Sequence, residues 1–479
     1  MSANIIATEK VQIDPINAPP DSSFSFRGGY PIISFLIAQS DKYLVGKSLR
    51  LCGEFNITDG AGAAILNNGG VGVGNGATRK NCSIDSRVGV ASTIRQVTLS
   101  TLDNQTLEHI KEYPRLLSSL VPATHGGADL NNGNALGNIT SSRSIVQACS
   151  LNTKRSFSIP IRCGLLSGTG LVPLGQNGTR GMIMNLECAP DSSVLQPWLL
   201  GEATDPQAVE TLQSGSVAGG AQIGDFSYTL SNVHLTYDLL VPDEEGAQMM
   251  NNASNGALQY NAYSSLYSVI NSSDQTVSLN LGASKVQSII HNIVPTTFVN
   301  NSQQLSNGTY KLQNGAAIAP IKEVAYSKAG ILFPRENRID EQQPGVIADE
   351  RSSIDAITLE TYLSSIKNIN DLDNTLASAQ TEDGKATRLN AYEGLNRNTP
   401  ERNIGGGEDR WGMTLANKRP VFGLGIRQDI FRHGVDYSRT PYSVRVRSEL
   451  DGQHPNSLFT YILASSTLLY SPEGIRVVS

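Results

Sequence analysis

The sequence predicts an all-β protein made of two tandem copies of one β-sandwich, and three observations carry that expectation. Hydrophobic residues make up 39% of the chain and charged residues 17%, with 45 glycines among many Asn, Ser and Thr, a composition suited to strands joined by long polar loops. Short apolar runs alternate with period two, the signature of strands with one buried face. The third observation is a repeated order. Strands, one helical stretch, a polar excursion and further strands occur in each half of the 479 residues, a length that accommodates two large β domains.

Residues 1–23, with Pro15, Pro19 and Pro20 and little periodicity, read as an extended arm that orders when a partner pins it. From Phe24 onward "FSF", "PIISFLIA" and "LRLCGEFNI" are strand-like, and "STIRQVTLSTL" follows a Gly/Asn-rich loop over Gly60–Asn81. Leu107, Ile110, Leu117 and Leu120 then recur at helical spacing, with Pro114 starting a new helix or kinking the first. After a polar loop over Pro122–Asn152, alternation returns in Phe157, Ile159, Ile161, Cys163 and Leu165, then in Met182–Cys188, then in Val233–Val241.

The stretch "PDEEGAQMMNNASNGALQY" reads as a linker, and the order starts again behind it. "LYSVI" and "TVSLNL" lead to a second helical pattern in Ile354, Ile357, Leu363 and Ile366, with Ser353 as its N-cap. A polar loop over Asp371–Asp409 precedes the last β block. There "KRPVFGLGIRQDIF" echoes "KRSFSIPIRCGLL", "YSVRVRSEL" follows as "GMIMNLE" did, and "LFTYILASSTLLY" as "FSYTLSNVHLTYDLLV" did. The expected organisation is therefore an arm (1–23), a first sandwich (24–242), a linker (243–261) and a second sandwich (262–479).

The formal net charge of -6 leaves no global field that would draw the protein to nucleic acid or anionic lipid. Lys and Arg outnumber Asp and Glu locally between Arg402 and Arg447, which reads as solvated strand faces and inter-subunit pairs, not nucleic-acid recognition. The five cysteines (Cys52, Cys82, Cys149, Cys163, Cys188) have no C-x-x-C spacing and read as reduced, mostly buried thiols. The first residues lack the basic segment and apolar run of a signal peptide. The most apolar late segment, Leu458–Tyr470, falls short of the roughly 20 residues of a spanning helix and is broken by Thr460, Ser465, Ser466 and Thr467. Sequons such as Asn56-Ile-Thr, Asn138-Ile-Thr and Asn307-Gly-Thr follow from the Asn/Ser/Thr-rich composition.

The glycine-rich "SGTGLVPLGQNGTRG" (Ser167–Gly181) looks at first like a phosphate loop. A dinucleotide fingerprint must leave a strand and open a helix whose N-terminal amides meet the pyrophosphate, whereas Gly168-Thr-Gly170 runs through Leu171-Val-Pro173 into another strand. A turn between antiparallel strands is expected instead. "GGVGVGNG" lacks the G-K-[ST] ending of a P-loop, and "HGGAD" (His125–Asp129) has no G-x-S-x-G to supply a nucleophile. The six histidines (His109, His125, His234, His291, His433, His454) stand apart from one another and from other ligand types. Glu244-Glu245 and Glu408-Asp409 sit in polar sequence, and Trp198 and Trp411 read as packing or interface residues. No catalytic, cofactor-binding or metal-binding residue is expected.

The chain resembles the double jelly-roll major capsid proteins of the lineage that includes tailless membrane-containing phages, adenoviruses, virophages and polinton-like viruses. Ser92–Leu120 is similar to the family's strand followed by an acidic, Tyr-containing helix, and Phe157–Glu187, with Val172-Pro173-Leu174, to its strand-turn-strand. Tyr228–Pro242 is similar to the last strands before the linker. The C-terminal "LFTYILASSTLLYSPEGIRVVS" resembles the final hairpin of virophage and polinton-like capsid proteins.

The resemblance implies two eight-stranded jelly rolls with short helices and long loops. It further implies homotrimers with six similar lobes that tile an icosahedral shell, assembled inside the host cell. Its partners would be neighbouring capsomers, penton and minor capsid proteins, and an internal membrane where the virion has one. No enzyme activity and no cofactor are implied. A different class of function, a carbohydrate-binding or carbohydrate-cleaving β-sandwich, would need an exposed aromatic row or a carboxylate pair in a cleft. A secreted adhesin is disfavoured by the missing signal peptide.

Overall fold

The computed structural model describes residues 5–19, 21–59, 79–84, 88–124, 154–168, 171–176, 178–200, 226–248, 256–296, 299, 321–332, 337–338, 421–425, 436–448, 455–471 and 474–478. The first half contributes β1 (Ile5–Ile13), β2 (Ile32–Ile37), β3 (Tyr43–Val45), β4 (Arg50–Asp59), β5 (Arg79–Ile84), β6 (Ile94–Thr101), β7 (Thr106–Lys111), β8 (Arg155–Pro160), β9 (Leu171–Pro173), β10 (Met182–Cys188), β11 (Leu195–Leu200) and β12 (Phe226–Pro242). The second contributes β13 (Ala257–Ile270), β14 (Asp274–Leu279), β15 (Val286–Pro295), β16 (Ile321–Lys328), β17 (Ile331–Leu332), β18 (Asn337–Arg338), β19 (Val421–Gly425), β20 (Tyr442–Ser448), β21 (Asn456–Ser471) and β22 (Gly474–Val478). α-Helices include Tyr113–Thr124, Gly164–Gly168 and Asp191–Val194, residues 244–248 form a further helical turn, and Gly89–Thr93 is a 3-10 turn.

Each half has the same strand order. In the first, β1, β12, β4 and β8 form one sheet and β2, β10, β6 and β7 another; in the second, β13, β21, β15 and β19 form one and β14, β20, β16 and β17 the other. If the eight principal strands of each half are counted along the chain, both halves read 1-8-3-6 in one sheet and 2-7-4-5 in the other. That order is the jelly roll, and it occurs twice. The sequence echoes fall on equivalent strands: "KRSFSIPIRCGLL" spans β8 and "KRPVFGLGIRQDIF" spans β19, each the sixth strand of its half. β10 and β20 are both seventh, and β12 and β21 both eighth.

The two jelly rolls share a sheet. β7, the last strand of one first-half sheet, runs parallel beside β13 at Ser264 and His109, so a nine-stranded sheet passes from one half to the other. β21 lies in the part of this sheet that is covered on both faces. Leu458, Ile462 and Ala464 point into the second core with Ile289 and Ile293, while Phe459, Tyr461 and Leu463 join the first core with Tyr260 and Tyr263. Burial on both faces explains why this strand is the most apolar run of the late sequence without being a membrane segment. Among the described residues no helix is long and apolar enough to cross a membrane.

Three expectations change. The residues read as an arm include β1, which pairs antiparallel with β12 from Ile5↔Pro242 to Ile13↔Leu235. Its alternation is weak because Ala7–Lys10 are exposed and no face is fully covered. Leu107 and Ile110 belong to β7, not to a helix; the register shift opposite Leu99 and Ser100 leaves Leu107 outside the ladder, so Leu107, Glu108 and Ile110 are all buried while His109 is half-buried and Lys111 exposed, which breaks the period of two and leaves a helix-like spacing. Glu112, at φ 51°, breaks the strand, and the helix begins at Tyr113 with Pro114 in its first turn, where a proline is tolerated. Finally, residues 257–261, read as linker, are the start of β13, held along its whole length by β21. "FSF" makes only isolated bridges, Phe24 with Tyr30 and with Leu230. The second helical pattern and the two long polar loops lie outside the described residues, apart from the end of the first helix.

Candidate functional site

Among the described residues, the side chains that join the two jelly rolls form an extended buried polar site. Glu108 on β7 is 3% exposed. Its Oε1 accepts the backbone N–H of Gly164 at 2.8 Å and that of Tyr263 at 2.6 Å, and Oε2 accepts a long bond from Leu165 N–H at 3.5 Å. Gly164 and Leu165 belong to the first half and Tyr263 to the second, so one carboxyl group ties both together. Burial pushes its pKa up to about 7, against the pull of the backbone donors and the Cys163 side chain.

Around it, Tyr260 Oη donates to the Leu107 carbonyl at 3.2 Å and Tyr461 Oη to the Glu112 carbonyl at 2.8 Å, each crossing from the second half to the first. The Lys111 N–H donates to Ser265 Oγ at 2.9 Å. Arg115, 1% exposed, places its guanidinium 4.4 Å from the centre of the Phe459 ring, and its Nε lies 4.0 Å from Glu112 Oε2. Glu112 also meets Arg95 at 3.1 Å, and Arg95 reaches Glu187 at 3.7 Å. Gly164 is required by close approach: an added Cβ would overlap the Asn261 carbonyl oxygen and lie 2.7 Å from its carbon.

The residues singled out in the sequence are not gathered here. His291 is fully buried in the second core, where Nδ1 shares a hydrogen bond with Thr460 Oγ1 at 2.9 Å and Nε2 with Tyr442 Oη at 3.0 Å, its ring stacked on Tyr326 and Tyr442. Burial holds its pKa down to about 3. His109 points away from Glu108 on the other face of β7, and His234 is half-buried on β12. Cys52, Cys163 and Cys188 are free thiols; burial pushes Cys188 up to about 12 and Cys163 well above its ordinary value, so both stay protonated and unreactive. His125, His433, His454, Trp411, Cys149 and "HGGAD" lie outside the described residues, as do the side chains of Trp198 and Cys82. Among the described residues no three His, Cys, Asp or Glu side chains are grouped to hold a metal. Of the basic stretch, Arg445 and Arg447 on β20 flank Asp274 on β14 at 2.8 and 3.6 Å, an exposed cross-strand pairing.

The glycine-rich loop serves as a strand connection. Leu171–Pro173 pairs with β3, and Gly181, at φ 88°, feeds the chain directly into β10. It links the sixth strand of the first jelly roll to the seventh, and no helix opens behind it. The junction residues Glu108, Arg115 and Gly164 had one sequence signal: an acid and an arginine embedded in the apolar run "TLEHIKEYPRLL".

Two jelly rolls of identical strand order fused through one sheet define the double jelly roll, the fold of viral major capsid proteins. Three solved structures share it over nearly their whole length. PBCV-1 VP54, as fitted into a cryo-EM reconstruction of the virophage Sputnik, aligns with a TM-score of 0.52 and 11% identity over 100% of this chain and 98% of its own. The PBCV-1 virus capsid aligns at 0.51 and 10%, covering 100% and 98%, and the Sputnik virophage at 0.51 and 9%, covering 100% and 89%. Likeness at this level of identity is a likeness of fold. No family model and no curated protein matches the sequence.

Proposed function

We propose that the protein is a viral major capsid protein, a structural component without catalytic centre, cofactor or metal, that self-assembles as pseudo-hexameric homotrimers into an icosahedral shell. The observation that carries this reading is the exact doubling of the jelly roll within one chain. Two equivalent lobes per subunit, repeated around a threefold axis, give six similar lobes and let one gene product tile a quasi-hexagonal lattice. The shared fold with capsid proteins of PBCV-1 and Sputnik supports it. In this reading the protein resides in the virion, its principal partner is itself, and penton and minor capsid proteins close the shell, over an inner membrane where one exists.

Sedimentation and negative-stain electron microscopy of the purified protein test this. The expected result is a homotrimer of the 51.2 kDa chain with hexagonal outline, or shells built from it. A stable monomer at micromolar concentration, together with selective binding on a glycan array, would instead favour a carbohydrate-binding sandwich.

A further inference from the structure

We propose that copies of this chain join edge to edge as its own two halves do: the fifth strand of the second jelly roll, β17 with β18, lies parallel beside β1, the first strand of the first jelly roll, of the next copy. The contact presupposes the homotrimer proposed above and assigns the edges that build it.

Within one chain, the step from lobe to lobe is made by the fifth strand of one jelly roll, β7, running parallel beside the first strand of the other, β13. A ring of six similar lobes closes only if every step is alike, so the step between copies uses the same two edges: the fifth strand of the second lobe and the first strand of the first. Both edges are open. β1 pairs with β12 on one side, and among the described residues no strand covers its other side. β17 and β18 pair with β16 on the side away from β20, and none of the described strands lies beyond them. An open strand edge is a template for another chain.

The side chains at both edges fit burial by a second copy. β16 turns into β17 through Ala329 at φ 51° and Gly330 at φ 80°, a two-residue turn with both centres left-handed, whose twist matches that of its strands. This turn projects Ile331, which at 73% is the most exposed large apolar side chain among the described residues. On β1, Ala7, Thr8, Glu9 and Lys10 are all exposed. The register follows from the junction inside the chain. There the carbonyl of Leu107, the second residue of β7, accepts the hydroxyl of Tyr260, the fourth residue of β13. Carried over, the start of β17 lies beside the fourth residue of β1, which sets Ile331 against Ala7 and Thr8. The contact is head to tail, and with two lobes per copy it closes after three copies.

Disulfide cross-linking read on non-reducing denaturing gels, alongside sedimentation, tests the contact. Ile331→Cys is combined with Ala7→Cys or with Thr8→Cys, which sit on opposite faces of β1 and so sample either side on which Ile331 can pack. At least one double variant should give covalent dimers and trimers on oxidation, while each single variant, which retains the native cysteines, runs as a monomer. Trimers in sedimentation without a covalent ladder from either pair overturn the edge contact and leave the capsid reading standing. A ladder from Ile331→Cys alone also overturns it, because that contact would be twofold. A protein that sediments as a monomer takes both down. Independently, Ile331→Asp, on an exposed hairpin, should keep the fold and raise the concentration at which trimers dissociate by at least about tenfold. An unchanged dissociation concentration refutes the contact.

Discussion

At the scale of single residues, burial sets two titratable groups against each other. His291 stays neutral in the fold, at about 3, whereas an unfolded histidine titrates at 6.5. Its contribution to stability is thus complete above pH 6.5 and is lost as pH falls towards 3, by about 1.4 kcal/mol per unit. Glu108 works in the opposite sense, because its folded value lies above its unfolded one: its contribution is complete below pH 4.5 and is lost as pH rises through 7. Between 4.5 and 6.5 the two slopes cancel. Unfolding by urea at several pH values, compared between the wild type and His291→Gln, separates them, since Glu108 titrates alike in both proteins. The wild type's stability relative to His291→Gln should shrink by about 1.4 kcal/mol per unit below pH 6.5. A constant difference would mean that His291 is protonated, or hydrated, inside the fold.

At the scale of elements, the helix Gly164–Gly168 depends on touching β13. Replacing Gly164 by Ala forces its Cβ against the Asn261 carbonyl, and the backbone shift that relieves it also pulls Gly164 N–H from Glu108. We expect Gly164→Ala to lower stability by roughly 2 kcal/mol or more through overpacking and an unmade hydrogen bond. Gly28→Ala, whose nearest contact would be Ser25 Oγ at 3.7 Å, should change stability little. Comparison of their thermal midpoints checks this; equal midpoints would show that the helix yields freely. Elements of this kind also mark what could be read from the sequence. β10 was legible because Met182, Met184, Leu186 and Cys188 face a core and Ile183, Asn185 and Glu187 do not. β7 was not, since the register shift at Leu107 and the buried Glu108 break the alternation that marks a half-buried strand. β1 was illegible for the opposite reason, as an exposed edge carries little hydrophobic pattern. The repeat was visible because sixth, seventh and eighth strands keep their alternation in both halves, while the junction stayed hidden because it rests on backbone amides and one glycine.

At the scale of the whole molecule, the two jelly rolls are repeats in topology but not independent in packing. The first core is completed by Tyr260, Tyr263, Phe459, Tyr461, Leu463 and Leu468 of the second half. Removing that half would uncover Leu107, Ile110 and the buried Arg115, and leave the carboxyl of Glu108 without Tyr263. Such coupling should make the halves unfold together: each contact across the junction is lost when either side melts, so neither jelly roll passes through a populated state in which the other is intact. Differential scanning calorimetry of the full chain at pH 5.5, where the Glu108 carboxyl is protonated, should give one transition with calorimetric and van't Hoff enthalpies in agreement. At pH 8 the transition should stay single at a lower midpoint, because burial holds the Glu108 carboxyl above its ordinary value. Two well-separated transitions already present at pH 5.5 would show that the shared sheet joins the jelly rolls in geometry only, with each core self-sufficient.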